Sequence, residues 1–498
     1  MRWERWAWTV VAGATLAAAI GGAAAADLAR RYRVRRLSGV TDMAGAPTVP
    51  DPNAPDCGPV PGVPELLGAA FDPGRWDQID LAGNGRVVAY ASNATAGSPG
   101  TRAIVLLREG AETSTVAEAA GDDDQPSVQF DAFGLRMAFR GSTGAAGSTP
   151  SNVYLHTVTR GAGDDAGDET VNLTGLDTSK GRRAFDPAIA ARVRSRGVTS
   201  GIEVRERDAR VVFVSNGDLD KGPRPPSAEG PGRNPANLLQ VFLWREQAAR
   251  FEQLTANTDA TAAISRPTIS GDGRFVVFES NADLDPAAVN PRDPSQVGNP
   301  DRVRQLYLWR ETRRGGDLRQ ITWSDRDCLA PRMTSDGRHV LFCSRGDLLP
   351  GGNPDGNFEV FRWSRGRPVA RRLAQLTETD EGDSVLPRPL RNVRRFVFYS
   401  TAMPPLGGLD FGGGPRQCGP SALLWTRGRV RHVAGLLDAE NLQLVIGGSD
   451  PVFTGPPAAV FPSKIHFATN DPVLDPPERA GAASAVRFHM ARATRFRR

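Results

Sequence analysis

The hydrophobic pattern is a series of short apolar runs separated by turn residues. Seven of these runs align on one aromatic each: Tyr90, Phe139, Phe213, Phe278, Phe342, Phe398 and Phe467. The intervals are 49, 74, 65, 64, 56 and 69 residues. Two positions before the anchor the residue is always apolar (Val88, Met137, Val211, Val276, Val340, Phe396, Ile465). One position before, it is apolar in all units but the last, which has His466. A strand whose two alternating faces are both apolar must be covered on both. The pattern therefore predicts strands sandwiched between neighbouring sheets.

Other signals recur around the anchor. A proline stands 11 residues before it in four units (Pro267, Pro331, Pro387, Pro456), with Pro126 and Pro187 in two others. In the third unit the excess spacing is an insertion around Arg192–Glu206. Proline suits the first position of a strand, where no ladder hydrogen bond is lost. Between proline and anchor, Ser270-Gly271-Asp272-Gly273 and Thr334-Ser335-Asp336-Gly337 predict a tight hairpin. A third strand follows, ending at Trp244, Trp309 or Trp363, each with an Asn-Pro upstream at Asn234, Asn299 or Asn353. A fourth ends near Leu173-Thr174, Leu254-Thr255, Ile321-Thr322 or Leu376-Thr377.

Four short antiparallel strands per unit, repeated, predict an all-β fold, a β-propeller of seven blades with six as the alternative. The last unit runs out of chain after its third strand. The segment Arg35–Asp42 resembles a fourth strand and is expected to complete that blade and close the ring. The expected organisation is residues 1–26 as a signal peptide or N-terminal anchor, 27–70 as closing strand and Pro-rich entry loop, and 71–498 as propeller.

Composition agrees. The 498 residues include 54 glycines and 39 prolines, too many for a helix-rich protein. The net charge of +5 divides into +1 for residues 1–26, +4 for 27–36 and +4 for the final eight residues, leaving −4 for the body. This removes the case for a nucleic-acid face. An uncharged stretch from Trp6 to Ala26 with a small-residue exit predicts export to periplasm or exterior, with a membrane contact only if that segment is retained. Export permits disulfides. The symmetry of Cys328 and Cys343 about the Thr334–Gly337 turn predicts one bridge, leaving Cys57–Cys418 as the other.

The run Pro-x-Ile-Ser-x-Asp-Gly-Arg-x-Val-x-Phe from Pro267 to Phe278, followed by Asn281-Ala282-Asp283-Leu284 and a strand ending at Trp309, resembles the TolB-type propeller repeat of exported bacterial proteins. Gly217-Asp218-Leu219 and Gly346-Asp347-Leu348 hold the same post-strand place. The resemblance implies an exported, non-catalytic propeller binding a protein, peptide or glycan. TolB carries an N-terminal α/β domain for which residues 27–70 are too short, so its role in the Tol complex does not transfer.

The sequence holds no nucleophile elbow, His-Glu-x-x-His or phosphate-binding Gly-Lys loop. All five histidines fall on repeat positions. Asn353, Asp355, Asn357 and Glu359 alternate oxygen side chains and form a calcium candidate; no other cofactor is implied. The default binding site is the axial channel, with Asp259, Asp325 and Asp380 after the fourth strands and Arg266, Arg332 and Arg388 beside the repeat prolines. The expected function is that of a monomeric, non-enzymatic binding or scaffold module with an exported or envelope partner. The alternative is a propeller hydrolase or lyase acting on glycans.

Overall fold

The computed structural model describes residues 122–400 with breaks at 132, 143–149, 160–166, 200–201, 220–233, 314, 380–381 and 390–392. It also describes 32–36, 79–82, 87–92, 103–108, 114–116, 421–426, 428–435, 444–447, 464–469 and 487–493. Within these residues lie seven four-stranded antiparallel sheets. The fold is a β-propeller. In chain order the first sheet comprises Ile79–Ala82, Val87–Ser92, Ala103–Arg108 and Ser114–Val116; the second, Asp122–Phe130, Gly134–Ser142, Ser151–Thr159 and Asp168–Asn172. The third comprises Ala184–Ala190, Arg210–Ser215, Gln240–Arg245 and Arg250–Gln253; the fourth, Ile264–Ile269, Phe275–Ser280, Gln305–Thr312 and Gly315–Gln320. The fifth comprises Cys328–Met333, His339–Ser344, Glu359–Ser364 and Leu373–Gln375; the sixth, Ser384–Pro389, Arg395–Ser400, Ser421–Thr426 and Arg429–Gly435. In the seventh, Leu444–Gly447, Lys464–Thr469 and Arg487–Ala493 are joined by the N-terminal strand Tyr32–Arg36, which pairs Val34 with Ala491. That strand begins three residues earlier than Arg35; residues 37–42 lie outside the described residues. The insertion in the third unit is a hairpin of Val193–Thr199 against Ile202–Arg207.

All seven anchors sit in second strands, and the two-sided burial has a direct cause. Val211 and Phe213 pack with Ala138, Val153 and Leu155 of the preceding sheet. Val212 and Val214, on the opposite face, pack with Ile264, Val276 and Phe278 of the following one. Val277 then meets Val340 and Phe342, and Leu341 meets Phe396 and Phe398. Each described anchor phenylalanine thus faces backward and its neighbours face forward. Every such fully buried phenylalanine is worth about 1.5–3 kcal/mol relative to exposure. Four anchors also stack on the aromatic opposite in the third strand: Phe139 on Tyr154, Phe213 on Phe242, Phe278 on Tyr307 (5.8 Å) and Phe342 on Phe361 (5.7 Å).

A second repeating device fastens the outer strands. The threonine of each Leu-Thr or Ile-Thr pair accepts the amide of the third strand's second or third residue and donates to a side chain just before it. Thr322 accepts the Leu306 amide (2.8 Å) and donates to Gln305 Oε1 (2.8 Å). Thr255 does the same with Val241 and Gln240, and Thr174 with Val153 and Asn152. Thr377 accepts from Val360 and donates to Glu359.

Two expectations need correction. Pro126, Pro187, Pro267, Pro331 and Pro387 do not open their strands; they lie inside them, at a bulge, and Pro456 lies outside the described residues. In the fourth sheet Ser265 faces Glu279 and Thr268 faces Val277, so Arg266 and Pro267 together oppose the anchor Phe278. A bulge interrupts the ladder, so the missing proline N–H costs nothing there.

The same bulge undoes the Cys328–Cys343 bridge. Its extra residue shifts the register by one, so that Cys328 faces Ser344 and Cys343 faces Leu329. A one-residue shift moves a side chain to the other face of the sheet. Both thiols are free and buried, Cys328 against Ser344 Oγ and Cys343 against the Leu329 carbonyl. Cys57 and Cys418 lie outside the described residues.

Candidate functional site along the first strands

Aligning the bulges shows what the first strands share. The residues before the five described repeat prolines are Gln125, Asp186, Arg266, Ala330 and Leu386, and all five have positive φ, between 49° and 54°. None is glycine, so each adopts a conformation that costs an L-residue roughly 1–2 kcal/mol. The surrounding structure compensates. The amide of the left-handed residue, released from its own ladder, donates to a side chain of the preceding sheet. Asp186 N–H donates to Gln125 Oε1 (2.8 Å), Arg266 N–H to Asp186 Oδ2 (2.8 Å) and Ala330 N–H to Glu279 Oε2 (2.7 Å). In the first two links the acceptor is the side chain of the previous left-handed residue. Successive first strands are also joined by Val128 N–H to Asp80 Oδ2 (2.7 Å) and Ile189 N–H to Ser127 Oγ (3.2 Å).

These strands carry buried charge, divided by sign. Asp123, Asp124 and Asp186 are buried on the second and third sheets. Asp124 receives Nε (2.5 Å) and Nη2 of Arg140, a two-pronged pair. Arg266 is buried on the fourth sheet, where Glu279 accepts from Ser265 Oγ (2.8 Å). Arg332 and Arg388 continue the cationic side on the fifth and sixth sheets, both partly exposed. Arg183 lies over the Phe185 ring at 5.3 Å, and burial, then Arg140, pulls its pKa down.

The sequence-predicted residues are therefore placed unequally. Arg266 precedes its proline, whereas Arg332 and Arg388 follow theirs, so the three belong to two different rows. Asp259, in the loop after the third sheet, accepts Thr261 N–H (2.9 Å) and Oγ (2.7 Å) and pairs with Arg302 of the Asn-Pro loop. Those contacts, Thr261 first, hold its carboxyl below the usual range. Asp325 is exposed in the next such loop. Asp380 lies outside the described residues. Asp186, Gln125 and Glu279 escaped sequence reasoning. The signal for Asp186 and Gln125 was the position before a repeat proline, where residue types vary while the backbone role does not; Glu279, one residue after the anchor Phe278, had none.

The calcium candidate resolves into the threonine clamp. Glu359 is buried and accepts Thr377 Oγ1, Thr379 Oγ1 and the Thr379 amide (2.6 Å), in the place that Gln240 and Gln305 hold elsewhere. Asn357 donates to Thr379 Oγ1 (3.0 Å), and Asn353 to the Arg345 and Asn357 carbonyls (3.1 and 2.9 Å). Asp355 is exposed. Among the described residues no group of three or more His, Cys, Asp or Glu is arranged to hold a metal.

The described cysteines and the two histidines whose side chains are described have structural partners. Burial pushes both thiols up to about 12. His339 Nδ1 lies 2.9 Å from Ser364 Oγ, and burial lowers its pKa; His156 Nδ1 lies 2.9 Å from Thr170 Oγ1. The side chains of His432, His466 and His489 lie outside the described residues.

No protein-family model and no curated protein matches this chain. Solved structures do. The chain is similar to TolB from Acinetobacter baumannii (13% identity, TM-score 0.37), over 70% of this chain and 64% of that one, so it spans just under two thirds of that protein's length. It is also similar to an oligogalacturonate lyase from Vibrio parahaemolyticus (10%, TM-score 0.43; 84% and 89% covered). A third is the β-propeller domain of the Trilobed protease from Pyrococcus furiosus (9%, TM-score 0.36; 72% and 83% covered). The likeness is one of fold alone: by its own sheets the chain is a β-propeller, and TolB-like in its repeat.

Proposed function

We propose that this protein is an exported, non-catalytic β-propeller that binds a protein, peptide or glycan at the face where its first strands begin. The supporting observation is the row of five left-handed, non-glycine residues, one on each first strand of the second to sixth sheets. Strained backbone persists where the surrounding structure over-determines it, and such positions cluster at ligand clamps. Along this row the first strands of the second and third sheets carry Asp123, Asp124 and Asp186, and those of the fourth to sixth carry Arg266, Arg332 and Arg388, a division suited to a ligand carrying both signs, such as a peptide terminus. Export rests on residues 1–26. No helix among the described residues is long and apolar enough to cross a membrane.

The alternative, a glycan hydrolase or lyase, needs a general acid and a general base on either side of the scissile bond, which two facing carboxylates can supply. On the first strands Asp123 and Asp124 are consecutive, so their side chains leave opposite faces of the strand, and Asp124 is engaged by Arg140. Affinity capture from the exported fraction tests the proposal. A retained species supports binding. Turnover of a cell-wall or plant polysaccharide by the purified protein, abolished by one acidic substitution, contradicts it.

A further inference from the structure

The outer strands of neighbouring sheets are held by ion clasps, and one clasp is inverted. Between the third and fourth sheets, Arg245 pairs with Glu252 of its own fourth strand (2.6 Å) and with Glu311 of the next sheet (2.8 Å). Glu311 also binds Arg210 (2.8 Å), and Glu246 holds Arg136 in the same way one sheet earlier. The positions can be followed by register. Trp244 faces Phe251 and Trp309 faces Leu318, so Arg310 stands where Arg245 does and Arg319 where Glu252 does. Counting on from Trp363, Arg365 stands where Glu246 and Glu311 do. In place of Arg210 there is Phe275, and Arg365 lies over its ring at 3.9 Å. Between the fourth and fifth sheets, therefore, both clasping carboxylates have become arginines.

The result is a groove of about 460 Å³ along the outer strands of these two sheets. Its walls carry five arginines (292, 310, 319, 365 and 372) against a single aspartate, Asp317. Asp317 is shared between Arg310 (3.4 Å) and Arg319 (3.1 Å), whose side chains are 49% and 69% exposed and so keep donors free for an incoming anion. The floor is apolar, formed by Leu308, Ile321, Leu348, Leu373 and Trp363 and continuous with the core between the two sheets. Trp323 also lines it, with a buried indole N–H that meets no acceptor among the described residues.

We infer that this groove binds an acidic peptide segment, at a site separate from the first-strand face. The arginines answer carboxylates. The apolar floor answers hydrophobic side chains between them, the anatomy of a peptide interface with an apolar centre and a polar rim. An acidic oligosaccharide would satisfy the rim and leave the floor unfilled.

The test uses the full chain and a fluorescein-labelled peptide of alternating aspartate and leucine, with a lysine–leucine peptide and a trigalacturonate as comparisons. Arg319→Glu restores the carboxylate found at Glu252 and is built to fold, since Arg310 regains the partner that Arg245 has. Wild type should bind the acidic peptide in a salt-sensitive manner, with hydrogen-exchange protection at residues 315–323. Arg319→Glu should weaken binding at least tenfold with an unchanged melting temperature. Arg250→Glu, at an exposed position of the third sheet outside both sites, should bind the peptide as wild type does. Equal binding by Arg319→Glu, no preference over the lysine–leucine peptide, or tight binding of trigalacturonate alone would overturn the inference.

Discussion

The Arg266 amide donates to Asp186 Oδ2 at 2.8 Å across the boundary between the third and fourth sheets. Both residues have left-handed backbone, and both precede a repeat proline. The bond makes one sheet's strained residue the support for the next. Asp186→Ala should lower stability by about 1–3 kcal/mol, through the lost charge-assisted acceptor and the strain of alanine at positive φ. Asn keeps an acceptor and tolerates this backbone region, so Asp186→Asn should retain most of the stability. Urea unfolding of the two variants separates them; equal midpoints would contradict this role.

Glu359 occupies a clamp position that other sheets give to glutamine, and burial raises its pKa even though Thr377 and Thr379 donate to it. The folded carboxyl therefore holds its proton to higher pH than the unfolded one. Its contribution to stability is full below the ordinary carboxyl range and is lost as pH rises through the folded value. Glu359→Gln should raise the melting temperature at pH 7–8 by about 1–2 °C, with the gain shrinking toward acid pH. Superimposable melting profiles across that range would refute the assignment.

Cys328 and Cys343, with pKa values pushed up to about 12 by burial, should resist a maleimide at pH 8 in the native protein and react once it is unfolded. Intact mass after alkylation reads the outcome. A native-state Cys328–Cys343 disulfide in non-reducing peptide maps would contradict the bulged register.

The pairing of Tyr32–Arg36 with Arg487–Ala493 brings the two ends of the chain into one sheet. We expect deletion of residues 27–42 to lower the melting temperature by several degrees, because it exposes the edge of the third strand. An unchanged melt would show that this strand contributes nothing to closure.

Much of the fold was legible because its signals are local or periodic. Phe278 and its counterparts announced two-sided burial, and Ile321-Thr322 and its copies marked where the fourth strands end. What escaped was register. Pro267 and Phe278 proved to be cross-strand neighbours at a bulge, and a bulge adds one residue without changing the sequence pattern on either side. That single residue separated Cys328 from Cys343. It also gives Arg266, which precedes its proline, a left-handed backbone that Arg332 and Arg388, which follow theirs, do not have. Asp186 was invisible for a related reason: its importance comes from a backbone conformation shared with Gln125, Ala330 and Leu386, residues with no common chemistry. The reversed clasp at Arg319 and Arg365 appears only when fourth strands are aligned through their pairing.

The central claim is that partners bind at the face where the first strands begin and are not turned over there. Its most direct measurement is quantitative capture from the exported fraction on wild type and on Arg332→Glu/Arg388→Glu, two partly exposed positions outside the buried row. Wild type should retain a discrete species unaltered, and the variant should lose most of it while keeping the wild-type melting temperature. Equal capture by both proteins, or a captured species returned cleaved, would contradict the claim.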